Sequence, residues 1–124
     1  MKQLPSFCIV HPPQHLTSTT QDVFYQHIYE LVQSRVEVIL INLEKVTRLD
    51  SGGLGILFGA FRISHRQGKR LMLYSPQSHV VQNLHKTGLT QIVGTHATLA
   101  DCIKDAIPYS QRLAQDRSIQ LPEF

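Results

Sequence analysis

The chain has 124 residues, 42% hydrophobic and 17% charged, enough for one domain whose core needs neither disulfides nor a structural metal. That size excludes a large multidomain enzyme; no apolar run nears the ~20 residues of a membrane helix and the start lacks a secretory signal, so the expected location is cytoplasmic. The 12 Lys and Arg are spread along the chain against 9 Asp and Glu, and no RNP-like motif, basic heptad or finger spacing is present, so no nucleic-acid partner is expected.

The first element is Phe7-Cys8-Ile9-Val10, a short apolar run stopped by Pro12 and Pro13, which reads as a strand. Thr19 or Thr20 then caps a helix whose apolar positions Phe24, Ile28, Leu31 and Val32 recur at helical spacing. Residues 36–43, V-E-V-I-L-I-N-L, are β-branched with little alternation, the pattern of a central strand covered on both faces. Next come Ser51-Gly52-Gly53-Leu54-Gly55 and a second amphipathic helix, with Leu54, Leu57, Phe58 and Phe61 as its stripe and Gly68 as its end. Residues 70–74 read as another strand. Pro76 and Ser78 open a third helix through Val80, Val81 and Leu84, closed by Gly88. Residues 91–93 read as a short edge strand, and Thr98 with Asp101 caps a last helix over residues 99–107, before Pro108.

This alternation predicts an α/β fold: a small, mixed but mostly parallel sheet, joined by right-handed crossovers, with about four helices packed on it. One domain is expected over residues 1–108. Residues 109–124 are mostly polar, with isolated Leu113, Ile119, Leu121 and Phe124, and form a tail or an extra helix.

Cys8 and Cys102 form no C-x-x-C pair and read as small buried apolar residues. The histidines include no H-E-x-x-H, and the i, i+4 pair His11 and His15 has two prolines between its members, so no metal or other cofactor is expected. The densest cations, Arg62, Arg66, Lys69 and Arg70, fall near the end of the second helix, where they favour its dipole.

Three chemistries compete for the segment around Ser51. D-S-G-G is similar to the peptide around the reactive serine of chymotrypsin-like proteases, but those need two β-barrels and an upstream His and Asp that this helix-rich chain does not supply. Gly53, Gly55 and Gly59 loosely match a dinucleotide turn, but the third glycine is one residue late and no acidic residue ends the strand over 70–74. The third is phosphate acceptance. Ser51 at a helix start offers a hydroxyl beside unpaired backbone N–H groups, and a phosphate there adds about −1.5 to −2 charge. Against all three stands a plain structural role, with Asp50 or Ser51 as N-cap and the glycines serving turn geometry.

Here the sequence resembles the STAS domains, named after sulfate transporters and anti-sigma-factor antagonists. The likeness runs over roughly residues 7–107 and rests on the strand over 36–43, the linker Val46-Thr47-Arg48-Leu49, the motif Asp50-Ser51-Gly52-Gly53-Leu54-Gly55, the strand over 70–74, and Asn83-Leu84-His85-Lys86-Thr87-Gly88-Leu89. The resemblance implies a stand-alone anti-sigma factor antagonist with no catalysis of its own. It implies that Ser51, while unphosphorylated, lets the chain bind a kinase-type anti-sigma factor and so free a sigma factor. Phosphorylation by that partner, from its own ATP, then breaks the complex, and a serine phosphatase restores it. The chain departs from the family in three places. Gln14-His15-Leu16-Thr17 stands where a Gly-x-Leu-Asp-like turn is frequent, Gly52 stands where Ser or Ala is common, and there is room for one strand, where many members have two, before the first helix.

Helical arithmetic places Ile56, Ala60 and Ile63 opposite the Leu54, Leu57, Phe58 and Phe61 stripe, with Gly55, Gly59, Arg62 and Arg66 on a flank. Of these two apolar sides, the one carrying Ile56, Gly59, Arg62, Ile63 and Arg66 is expected to meet the partner kinase or a second copy in a homodimer. Ile63→Glu is therefore expected to weaken binding and spare the fold. Two other classes stay open: a STAS scaffold or transport-complex subunit that is never phosphorylated, and a small-ligand or nucleotide-binding domain.

Overall fold

The computed structural model describes residues 5–107, and the segment expected to be a tail lies outside them. In chain order the elements are β1 (Phe7–Val10), β2 (His15–Leu16), α1 (Gln21–Val32), β3 (Val38–Asn42), β4 (Arg48–Leu49), α2 (Ser51–Arg66), β5 (Arg70–Tyr74), α3 (Ser78–Lys86), a 3-10 turn (Leu89–Gln91), β6 (Gly94–His96) and α4 (Leu99–Ala106).

Four strands form one sheet in the order β1-β3-β5-β6, every pair parallel. Because each crossover steps the same way along the sheet, right-handed connections must put α1, α2 and α3 on one face. Alternation along the strands shows the two faces. Ile39, Ile41, Leu71 and Leu73 join Phe24, Ile28, Leu57, Val80 and Leu84 in the larger core. Val38, Leu40, Met72 and Tyr74 join Cys102, Ile103, Ala106 and Ile107 of the α4 segment in the smaller one. Each fully buried Leu or Ile contributes about 1.5–3 kcal/mol of transfer free energy.

The expected edge strand over 91–93 is corrected. Gly88 adopts a left-handed φ of 76°, and Leu89–Gln91 wind into the 3-10 turn. Val93 is buried, and its N–H donates to the Leu89 carbonyl at 2.8 Å. Ladder pairing starts only at Gly94, opposite Met72. A Cβ at Gly94 would sit 3.3 Å from Met72 Cγ, so the close approach favours glycine there. Gly68 does end α2: its N–H donates to His65 O at 3.0 Å and that of Lys69 to Ser64 O at 2.9 Å, a Schellman closure.

One small ladder positions the site. β2 pairs in parallel with β4, His15 opposite Arg48 and Leu16 opposite Leu49. It draws the loop after Leu16 against the first turn of α2.

Candidate functional site at the start of α2

Asp50, and not Ser51, is the N-cap of α2. Its Oδ1 accepts the Gly53 N–H at 2.9 Å, while Oδ2 accepts the Ser18 N–H at 3.4 Å. Those backbone donors, Gly53 first, hold the Asp50 carboxyl below the usual carboxylate range. Ser51 is therefore the first full helical residue, and it is exposed. With capping done by its neighbour, its side chain is not needed to hold the helix end.

The glycines around it divide by role. An ideal Cβ on Gly53 would lie 2.0 Å from the Leu16 carbonyl oxygen, and one on Gly52 would meet Cα, Cβ and N of Ser18 at 2.9 Å. Both let α2 start in contact with the β2 loop, which accounts for Gly52 at a position where the family commonly has Ser or Ala. Gly55 is different: a Cβ there meets nothing within 4 Å. No packing reason within the described chain requires it to be bare.

Burial along α2 corrects the expected stripe. The buried line is Gly53, Leu57, Ala60 and Ser64, recurring at i, i+4, i+7 and i+11. Ala60 is core, and Ile56 and Ile63 are half-buried and packed against the same core. Ile63 thus belongs to the support of the fold. Phe58, expected to face inward, is 37% exposed. Ser51, Gly55, Phe58 and Arg62 share one ridge facing solvent, with Arg66 one turn beyond. Of the residues expected at a partner face, Arg62 and Arg66 lie on this exposed side and Gly59 is half-buried with Tyr25 3.5 Å from its would-be Cβ. Leu54, from the expected inward stripe, is half-buried and packed on the core from the opposite flank to Ile56.

The cations also separate. Lys69 Nζ donates to the carbonyls of Ser34 and Val36 at 2.7 and 2.5 Å, and Arg70 is engaged by Asp105 at 3.4 Å. Arg62 instead lies over the Phe58 ring, 5.8 Å from its centroid. Sequence reasoning missed the exposed Phe58 and Ile92, which line one groove with Leu54, Gly55, Thr87 and Leu89. The available signal was the spacing of small residues, Gly53, Ala60 and Ser64, which marks a helix side approaching its support closely.

Among the described residues, no helix is long and apolar enough to cross a membrane. A search of curated proteins by sequence finds no match. Solved structures do match. The Thermotoga maritima protein TM1081 superposes with a TM-score of 0.75 at 22% identity, covering 81% of this chain and 86% of that one. An anti-sigma-factor antagonist (STAS) domain protein from Planctomyces limnophilus gives 0.70 at 17%, covering 79% and 88%. The anti-sigma factor antagonist SpoIIAA in its unphosphorylated form gives 0.68 at 22%, covering 85% and 90%. These likenesses concern the fold; the family profile of the STAS domain matches residues 1–102 directly, and the chain belongs to that family.

Proposed function

We propose that this chain is a phosphorylation-switched binding module, an anti-sigma factor antagonist of the cytoplasm without catalysis of its own. In its unphosphorylated state it binds a kinase-type anti-sigma factor through the exposed side of α2. That kinase phosphorylates Ser51 from its own ATP and releases it, and a serine phosphatase resets the switch. The observation that carries this reading is the exposed Ser51 hydroxyl at the first position of α2, left free by the Asp50 cap. SpoIIAA, which shares the fold, exists in phosphorylated and unphosphorylated forms, which supports the reading.

The physical basis of the switch is charge. A phosphate at Ser51 adds about −1.5 to −2 units beside the Asp50 carboxylate, partly balanced by the positive end of the helix dipole. The surface a partner meets there becomes strongly negative. Incubation with the cognate anti-sigma kinase and ATP should add one phosphate by intact mass to the wild type and none to Ser51→Ala. Ser51→Ala should stay bound in a pull-down and Ser51→Asp should bind poorly. Wild-type behaviour by both variants would end the proposal.

A further inference from the structure

We propose that the groove between α2 and the Leu89 turn seats an apolar side chain of an acidic amphipathic helix from a partner protein, with the partner's carboxylates facing Arg62 and Arg66. The groove is open, about 310 Å³, and lined by Leu54, Gly55, Phe58, Thr87, Leu89 and Ile92. None of these is charged. Phe58 and Ile92 are 37% and 51% exposed, a costly arrangement for two large apolar side chains side by side unless something covers them.

The charge around the groove specifies its occupant. Helix α2 contains no Asp or Glu, and Asp50 stands outside its first turn. Arg62 projects over the Phe58 ring at the groove wall, and Arg66 follows one turn on. Lys69 and Arg70 point elsewhere, held by backbone carbonyls and by Asp105. Apolar groove and cationic ridge together fit an amphipathic helix that anchors by its apolar face and carries acidic residues along its border.

Two other occupants fit less well. A second copy docking symmetrically would bring one arginine ridge toward another. The segment 109–124 balances Arg112 and Arg117 with Asp116 and Glu123 and has no acidic excess to offer. An acidic partner also connects with Ser51. At about 1.5 Å per residue the eleven residues from Ser51 to Arg62 span about 16 Å, so a helix of three turns lying on the ridge meets both ends. A phosphoserine at one end then offsets, for that partner, the attraction of the two arginines at the other.

The inference deepens the partner-binding reading and rests on it for the partner's biological setting, but the groove can be tested alone. The probe is a synthetic amphipathic helix of about 18 residues with a Leu/Ile face and a Glu-rich border, beside a twin in which every Glu is Lys. Titrated into the isotope-labelled full chain, the acidic peptide should saturate amide shifts at Leu54, Phe58, Leu89 and Ile92, and the lysine twin should bind at least about tenfold more weakly. Ile92→Glu and Arg62→Glu/Arg66→Glu, all at exposed positions, should each reduce acidic-peptide affinity by about tenfold or more while the spectrum stays folded.

Equal binding of the two peptides, or no saturable shift at the groove, overturns the inference. Concentration-dependent self-association through the same residues assigns the groove to a second copy and overturns it too. Phosphorylation of Ser51 by the cognate kinase is scored separately. If Ser51 takes no phosphate while the acidic peptide binds, the switch reading fails and the groove stands. If Ser51 is phosphorylated and kinase binding ignores Arg62→Glu/Arg66→Glu, the reverse holds.

Discussion

Asp50 and Ser51 illustrate how adjacent residues divide structural and chemical work. The sequence left open which of them caps α2, because both types are favoured at N-caps. Three-dimensional context decides it: the Asp50 carboxylate reaches Gly53 on its own helix and Ser18 on the neighbouring loop. The glycines were legible as a cluster but not by role, since only the approach of Leu16 and Ser18 separates Gly53 and Gly52 from Gly55. A prediction follows at this scale. Gly55→Ala, in an exposed helical position with open space, should raise stability by about 0.5–1 kcal/mol through helix propensity. Gly53→Ala must displace the Leu16 backbone and should lower stability by roughly 1–3 kcal/mol or more. Chemical denaturation measures both. If the flat surface beside Ser51 serves docking, Gly55→Ala should also weaken kinase binding despite its greater stability, a dissociation that a purely structural glycine cannot produce.

At the scale of elements, strands were easier to read than faces of helices. A central strand buried on both sides announces itself by composition, and β3 lies where its β-branched run is. Helix α2 was legible in extent but misread in orientation, because the apolar stripe was drawn through the largest side chains. Its buried line runs instead through Gly53, Leu57, Ala60 and Ser64, three of them small. Small residues bury little area, yet they set how closely a helix sits on its support. The two-residue ladder of β2 and β4 left no sequence signal at all, since two paired residues impose no period. The revised orientation changes the expected outcome of one substitution. Ile63→Glu puts a carboxylate against the core that Ile63 contacts and should lower stability by about 1–3 kcal/mol. Arg62→Glu, on the exposed ridge, should leave thermal unfolding within about 0.5 kcal/mol of wild type. Equal melting temperatures for the two variants would return Ile63 to the surface.

For the whole molecule, the monotonic strand order has a cost: with three crossover helices on one face, only α4 is placed to cover the other among the described residues. At eight residues α4 is too short to be stable alone, so its attachment must come from tertiary contacts. Its own cap is local: Thr98 accepts the Asp101 N–H at 3.1 Å. Across the fold, beside the apolar face, the Cys102 thiol donates to Leu73 O at 3.4 Å. Burial pushes that thiol up to about 12, with Asp105 and Asp101 adding to the shift, so it stays protonated and serves packing. Asp105 also reaches other strands: it meets His96 Nε2 of β6 at 2.9 Å and Arg70 of β5 at 3.4 Å, while Arg70 donates to the Asp105 carbonyl at 2.8 Å.

Partial burial raises the Asp105 carboxyl, but the His96 hydrogen bond and the Arg70 charge outweigh it and hold the group below the usual carboxylate range. A carboxylate depressed in the folded state contributes stability above its unfolded value of about 3.9, and that contribution is lost as pH falls through the folded value. Asp50 acts with the same sign at the other end of the site's architecture. Thermal unfolding followed from neutral pH downward should therefore show stability falling below about pH 4. Asp105→Asn should lower stability at neutral pH by about 1 kcal/mol or less, given the exposure of the pair. It should also flatten the acid limb, because the proton that neutral folding excludes no longer has a site to occupy. The double variant with Asp50→Asn should flatten it further by an independent increment, since the two carboxylates serve different elements and share no partner. An acid limb that Asp105→Asn leaves untouched would mean that α4 is held by its apolar face and its cap alone.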